Sequence, residues 1–243
     1  MTRVAAHTAT YASQPAPSMP SLSYRRWTRL PSIVFQNSSL TSIACAHFLL
    51  DAQESLEIHL ISGSFEVGLM GETPGIIGES GWPVVRPHWI SEGGLDLPQE
   101  TSTALRASWL AKSMAISLSQ RGASFHTGSR ILTHDEDSKK IVITVPGDEK
   151  TSEIHYDTLV TPGTTSGEAR WKGAVALSLP EWPSVNGRRS DGSHEFWWMD
   201  ERRPENPLQT MSWVGVDPSS AVNDAITEAR RISDNILSGS LAA

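Results

Sequence analysis

A chain of 243 residues with 38% hydrophobic and 19% charged residues has a globular balance and enough length to bury its own core, which excludes a disordered or fibrous protein. Its net charge of −7, with no dense Lys/Arg block, argues against nucleic acid as a partner. The single cysteine, Cys45, excludes an intramolecular disulfide framework, and no apolar run is long enough to span a bilayer.

Residues 1–50 hold no Asp or Glu but four arginines, Arg3, Arg25, Arg26 and Arg29. The stretch "ATYASQPAPSMPSLS" is rich in Pro, Ser and Ala and buries too little apolar surface to order itself, so residues 1–31 read as a flexible tail. The alternative is an organelle-targeting leader, which is also acid-free and Arg-bearing. The start lacks the hydrophobic centre of a secretory signal, and the tail reading goes with a cytoplasmic protein.

Ile33, Val34 and Phe35 predict a short buried strand, followed by a polar turn and a helix that begins on the small residues Ala44, Cys45 and Ala46. Cys45 within that helix reads as a buried thiol. "SLEIHLISG" is a second strand, so strand, turn, helix and strand follow the βαβ plan of a parallel sheet. The Gly- and Pro-dense "GETPGIIGESGWPVVRPHW" is loop. A helix follows on Leu105, Trp109, Met114, Ile116 and Leu118, with Thr101 or Ser102 as N-cap and Gly122 at its end. "SFHTGSRIL" is a third strand. "RILTHDEDSKKIVITVPGDEKTSEIHYDTLVTPG" then gives a β-meander whose last run returns to the main sheet. The Trp-rich segment up to Pro207 contains a strand in "HEFWWMDE". "LQTMSWVGVDP" is a strand and turn, and an amphipathic helix on Val222, Ile226, Ala229, Ile232 and Ile236 closes the chain. The expected parallel sheet takes residues 33–36, 56–61, 123–127 and 157–161, with Val214 closing it.

In this order the pieces resemble the two-dinucleotide-binding-domain flavoproteins, and among them the aromatic hydroxylase, geranylgeranyl reductase and flavin-dependent halogenase branch. The resemblance implies an α/β fold: a Rossmann-like FAD/NAD(P)-binding domain with a parallel sheet, a β-meander and a reduced substrate region. It divides the chain into the tail (1–31), the Rossmann domain with meander (32–163), a reduced substrate or interaction region (164–207) and the closing strand and helix (208–243). The family's G-x-G-x-x-G turn falls on Asn37, Ser39 and Ser42, so all three glycines are replaced. Asn37 can make the turn by tolerating a left-handed backbone, and the serines are small. The ribose-binding acid at the end of the second strand is replaced by Ser62, Gly63 and Ser64. The resemblance places Gly78, Glu79 and Ser80 on the flavin side of the pocket, Arg106 near the cofactor, Gly163 where the chain passes it, and Asp217 at the ribityl chain, one residue further from Gly215 than the family's Gly-Asp turn.

FAD is therefore expected to be weakly held or lost. Two functions stand: an FAD-dependent oxidoreductase of the monooxygenase or halogenase type, or a flavoprotein-derived non-catalytic subunit in a complex. No catalytic residue is identified. The eight histidines lack metal-binding spacing, and the acids of "HDEDSKK" read as a solvated hairpin turn, so no metal is expected. Trp82, Trp89, Trp197 and Trp198 suit either a pocket for an aromatic or apolar small molecule or an interface. The segment from Trp171 to Trp213, centred on Trp197 and Trp198, is expected to meet a protein partner or a second copy.

Overall fold

A computed structural model describes residues 29–68, 73–79, 81–91, 97–147, 150–161, 163 and 169–239. The expectations for the tail up to residue 28 and for Ser80 lie outside these residues. Strands Ser32–Phe35 (β1), Glu57–Ser62 (β2), Ser124–Thr127 (β3) and Thr158–Val160 (β7) form a parallel sheet in the order β3-β2-β1-β7. Ile33 and Leu60 share this sheet, with Ile33 opposite Ile58 and Phe35 opposite Leu60.

Alternation along the strands sorts the two faces. Ile33, Phe35, Ile58 and Leu60 pack against the helices Leu40–Ala52 (α1), Ala107–Gln120 (α2) and Ala221–Leu237 (α3). Val34 and Ile61 face the meander of Ile131–Asp135 (β4), Lys140–Thr144 (β5) and Thr151–His155 (β6), meeting Ile141, Ile143, Ile154 and Tyr156. α1 is apolar nearly all round and buried accordingly, whereas α3 buries only Val222, Ala229, Ile232 and Ser233. "HDEDSKK" is the β4–β5 hairpin, and no cluster of metal-binding side chains occurs among the described residues.

A polar knot rivets α1 to α2. Asp51 accepts hydrogen bonds from Arg86, His88 and Trp89 and an ion pair from Arg121. His47 stacks on Trp89 at 5.1 Å, donates from Nε2 to Met114 O at 3.0 Å and accepts Arg121 Nη1 at 2.9 Å. Burial pushes the His47 pKa down to about 4.

Arg170–Ala176 (β8), Val185–Arg188 (β9), His194–Trp198 (β10) and Gln209–Val214 (β11) form a separate antiparallel sheet ordered β11-β8-β10-β9. Three expectations are corrected here. Val214 does not close the parallel sheet: β11 pairs with β8 over its whole length, Gln209 opposite Val175 to Val214 opposite Arg170, which satisfies its backbone there. Trp197 and Trp198 are 0% and 8% exposed, so they belong to the chain's own core rather than to a solvent-facing surface. Trp198 stacks on Phe196 and meets Trp182 edge-on, while Trp197 lies on Gly173 and against Trp213. Finally, α2 starts at Ala107 with Arg106 at its N-cap, because Ser102 Oγ instead accepts Gln99 N at 3.0 Å. No helix among the described residues is long and apolar enough to cross a membrane.

Candidate functional site

In an open parallel sheet, ligands bind outside the carboxyl ends of the strands, where the chain reverses strand order. Here β1 lies between β2 and β7, and the turn leaving β1 opens on a cleft of about 290 Å³. Asn37 and Ser39 line it from that turn, Gly163 from the segment after β7, and Trp213, Asp217 and Glu228 from β11, the turn after it and α3. A neighbouring crevice of about 330 Å³ runs over the end of β2 and shares Asn37 and Ser39 with the cleft.

The turn itself is internally bonded. Asn37 Oδ1 accepts Ser39 N at 3.1 Å and Ser42 Oγ at 2.5 Å, and Ser39 Oγ caps α1 by accepting Ser42 N at 3.2 Å. Asn37 does this without a left-handed backbone: among the described residues only Lys139 and Asn206 combine a side chain with positive φ. The expectation about its backbone is thus replaced by a side-chain mechanism, an Asx turn.

Around this turn the charges are mixed. The first turn of α1 carries no acid, and helix geometry leaves the Leu40 and Thr41 N–H groups without intrahelical partners. Three carboxylates reach the cleft, Asp217 from the turn before α3 and Asp224 and Glu228 from α3. Asp217 Oδ1 accepts Ser219 N at 2.8 Å, and Asp224 accepts Ser220 Oγ at 2.6 Å. The Arg231 fork holds the Glu228 carboxyl below its usual range. The Trp213 ring packs over Gly215, where a Cβ would stand 2.0 Å from it and displace the ring. Among the described residues, nothing lies within 4 Å of where a Gly163 Cβ would stand.

Four of the six sequence-predicted residues, Asn37, Ser39, Gly163 and Asp217, therefore line one cleft, and Ser42 lies beneath it, bonded to two of them. Arg106 does not line it. It borders a second cavity of about 210 Å³ with Leu105, Trp109, Arg189 and Asp191. Sequence reasoning missed the buried group beside this cavity. Glu195, 1% exposed, accepts Gly75 N at 2.6 Å and Trp197 Nε1 at 2.9 Å and pairs with Arg189. Its partners are scattered along the chain, and no local motif announces them. Gly75 shares the knot, for a Cβ there would lie 1.7 Å from Leu105 O.

A dinucleotide pyrophosphate fits this turn at one place, the acid-free N-terminus of α1 with its Leu40 and Thr41 amides. Two further amides, those of Ser39 and Ser42, are already bonded to side chains. At the end of β2, the acid that lines the crevice is Glu66, which is paired with Lys112.

No family model matches the chain, and no curated protein matches it. Solved structures do resemble it. Glycine oxidase from Bacillus cereus superposes with a TM-score of 0.54 at 9% identity, over 87% of this chain and 95% of that one. A flavoprotein/dehydrogenase from Cytophaga hutchinsonii gives 0.52 at 10% identity, over 86% and 79%. BexE, studied for oxidation during BE-7585A biosynthesis, gives 0.51 at 10% identity over 87% of this chain, which spans only 62% of BexE. At these identities the likeness is one of fold.

Proposed function

We propose that this chain, which has the fold of the FAD/NAD(P)-binding Rossmann-like flavoproteins, is an FAD-dependent oxidoreductase of the monooxygenase or halogenase type with a weakened cofactor site. The observation that carries the reading is the convergence of Asn37, Ser39, Gly163 and Asp217 from three separate segments on one cleft at the carboxyl ends of β1 and β7. When bound, FAD would supply the redox chemistry. The chain's own groups would hold it: the Leu40 and Thr41 amides toward the pyrophosphate, Asn37 and Ser39 at its flank, and Asp217 toward the ribityl hydroxyls. An aromatic or apolar small molecule is the substrate class.

A second reading, a flavoprotein-derived non-catalytic subunit, is favoured by the closed bonding of Asn37, Ser39 and Ser42, which takes up two amides that an anion would otherwise use. A partner would then meet exposed Met199, Leu208 and Val216 rather than Trp197 and Trp198.

Flavin fluorescence quenching separates the two. Saturable FAD binding in the micromolar range supports the oxidoreductase. Absence of binding at millimolar FAD, from protein that purifies colourless, rejects it in favour of the subunit.

A further inference from the structure

Arg106 stands at the start of α2, beside the second cavity, and its guanidinium makes no hydrogen bond or ion pair among the described residues. Arg189, on the same wall, is 8% exposed. Its Nε and Nη2 both donate to Glu195 Oε2, which leaves Nη1 without a partner among the described residues. Glu195 neutralises Arg189, and the exposed Arg106 guanidinium feels the nearby Asp191 carboxylate without bonding it, so Arg106 keeps its N–H donors free for a ligand. The first turn of α2 adds no acid to oppose an anion.

The remaining walls set the size and polarity of a ligand. Leu105, 3% exposed, with Trp109 and Pro98, provides an apolar and aromatic surface. About 210 Å³ is below the roughly 300–1,000 Å³ of sites for drug-sized molecules, which leaves room for a single ring. Asp191 is also on the rim. Its Oδ1 is taken by Ser193 N at 2.9 Å and Ser193 Oγ at 2.6 Å, and its negative charge disfavours a dianion such as phosphate.

We propose that this cavity binds the carboxylate of a small aromatic or apolar monoacid, with Arg106 as the ionic anchor, Arg189 Nη1 as a second donor and Trp109 as the ring contact. Among the described residues the cavity shares no lining residue with the cleft above β1, so its ligand binding can be measured on flavin-free protein. The Arg189 guanidinium, buried and locked in place by Glu195, is pre-organised as a donor, so only the exposed Arg106 side chain has to be ordered when an acid binds.

Isothermal titration of the full chain with phenylacetate, its uncharged amide phenylacetamide and 2-phenylethylamine tests the site. Phenylacetate is expected to bind about tenfold or more tighter than the amide, more weakly as salt is raised, and 2-phenylethylamine not at all. Arg106→Leu should abolish the preference for acid over amide while leaving the circular dichroism and melting curve unchanged, and Arg106→Lys should retain part of it. Asn37→Gly, in the other cleft, should leave phenylacetate affinity as it was. Equal binding of acid and amide, undiminished phenylacetate binding by Arg106→Leu, sensitivity to Asn37→Gly, or no phenylacetate binding at millimolar concentration would each overturn the proposal.

Discussion

Ser42 Oγ donates to Asn37 Oδ1 at 2.5 Å across five residues, and the same oxygen accepts Ser39 N at 3.1 Å. One side-chain oxygen thus ties the exit of β1 to the start of α1. It does so with groups that, in a glycine-rich turn, would be replaced by bare backbone amides facing the ligand.

Replacing Asn37 by Gly releases the Ser39 amide and removes the acceptor of Ser42. We expect FAD affinity to rise about fivefold, from one amide worth about 1 kcal/mol, and folding stability to fall by a similar amount. Fluorescence titration and urea denaturation of the same sample measure both. Lower affinity in the variant would mean that the contact of Asn37 at the ligand's flank outweighs the freed Ser39 amide.

Acid should lower the stability of the protein in two steps. Burial keeps His47 neutral by lowering its pKa from 6.5 to about 4. The unfolded chain binds that proton first, so stability is complete above pH 6.5 and declines as pH falls toward 4, by roughly 2–3 kcal/mol. For Asp51, burial acts to raise the pKa, but hydrogen bonds from His88, Trp89 and Arg121 outweigh it and hold the group at about 2 instead of 3.8. Its contribution is present above the ordinary carboxylate value and is lost between there and about pH 2. Denaturant midpoints near neutrality, at about pH 5 and at about pH 3 should fall stepwise, and His47→Gln should flatten the first step alone.

Trp198 is 8% exposed, and its Nε1 donates to Arg202 O at 2.9 Å. Trp198→Ala should therefore lower folding stability by about 3–5 kcal/mol, at dilute and concentrated protein alike. A loss seen only on dilution would assign the residue to an assembly interface instead.

Cys45 is wholly buried in α1, and burial, with the charges of Glu228 and Asp234 adding to it, pushes its pKa up to about 12. Its thiol should resist iodoacetamide in native buffer and react fully in denaturant, as read by intact mass. Stoichiometric labelling of folded protein would contradict the packing of α1 against α3.

The parallel sheet, the meander and the three helices were legible in the sequence because each announces itself locally. Ile33 to Phe35 and Leu56 to Ile61 are short apolar runs, α3 repeats at helical spacing, and "HDEDSKK" is a polar turn between two strands. Asn37, Ser39, Gly163 and Asp217 were named by the resemblance to flavoproteins; the loops after β1 and β7, which carry the first three, leave the same end of the sheet, and the turn after β11 brings Asp217 to them. What a chain-order reading cannot carry is partner choice between distant segments. β11 has the alternation of a strand whichever sheet it joins, and only its pairing with β8 decided that Val214 leaves the parallel sheet. Trp197 and Trp198 are equally apolar on a surface or in a core, and the backbone of Gly173 together with Trp182 and Trp213 decided for the core. Arg106 and Arg189 share a cavity, and Glu195 holds Gly75, because tertiary packing brings together groups whose attraction depends on distance in space and not on separation along the chain.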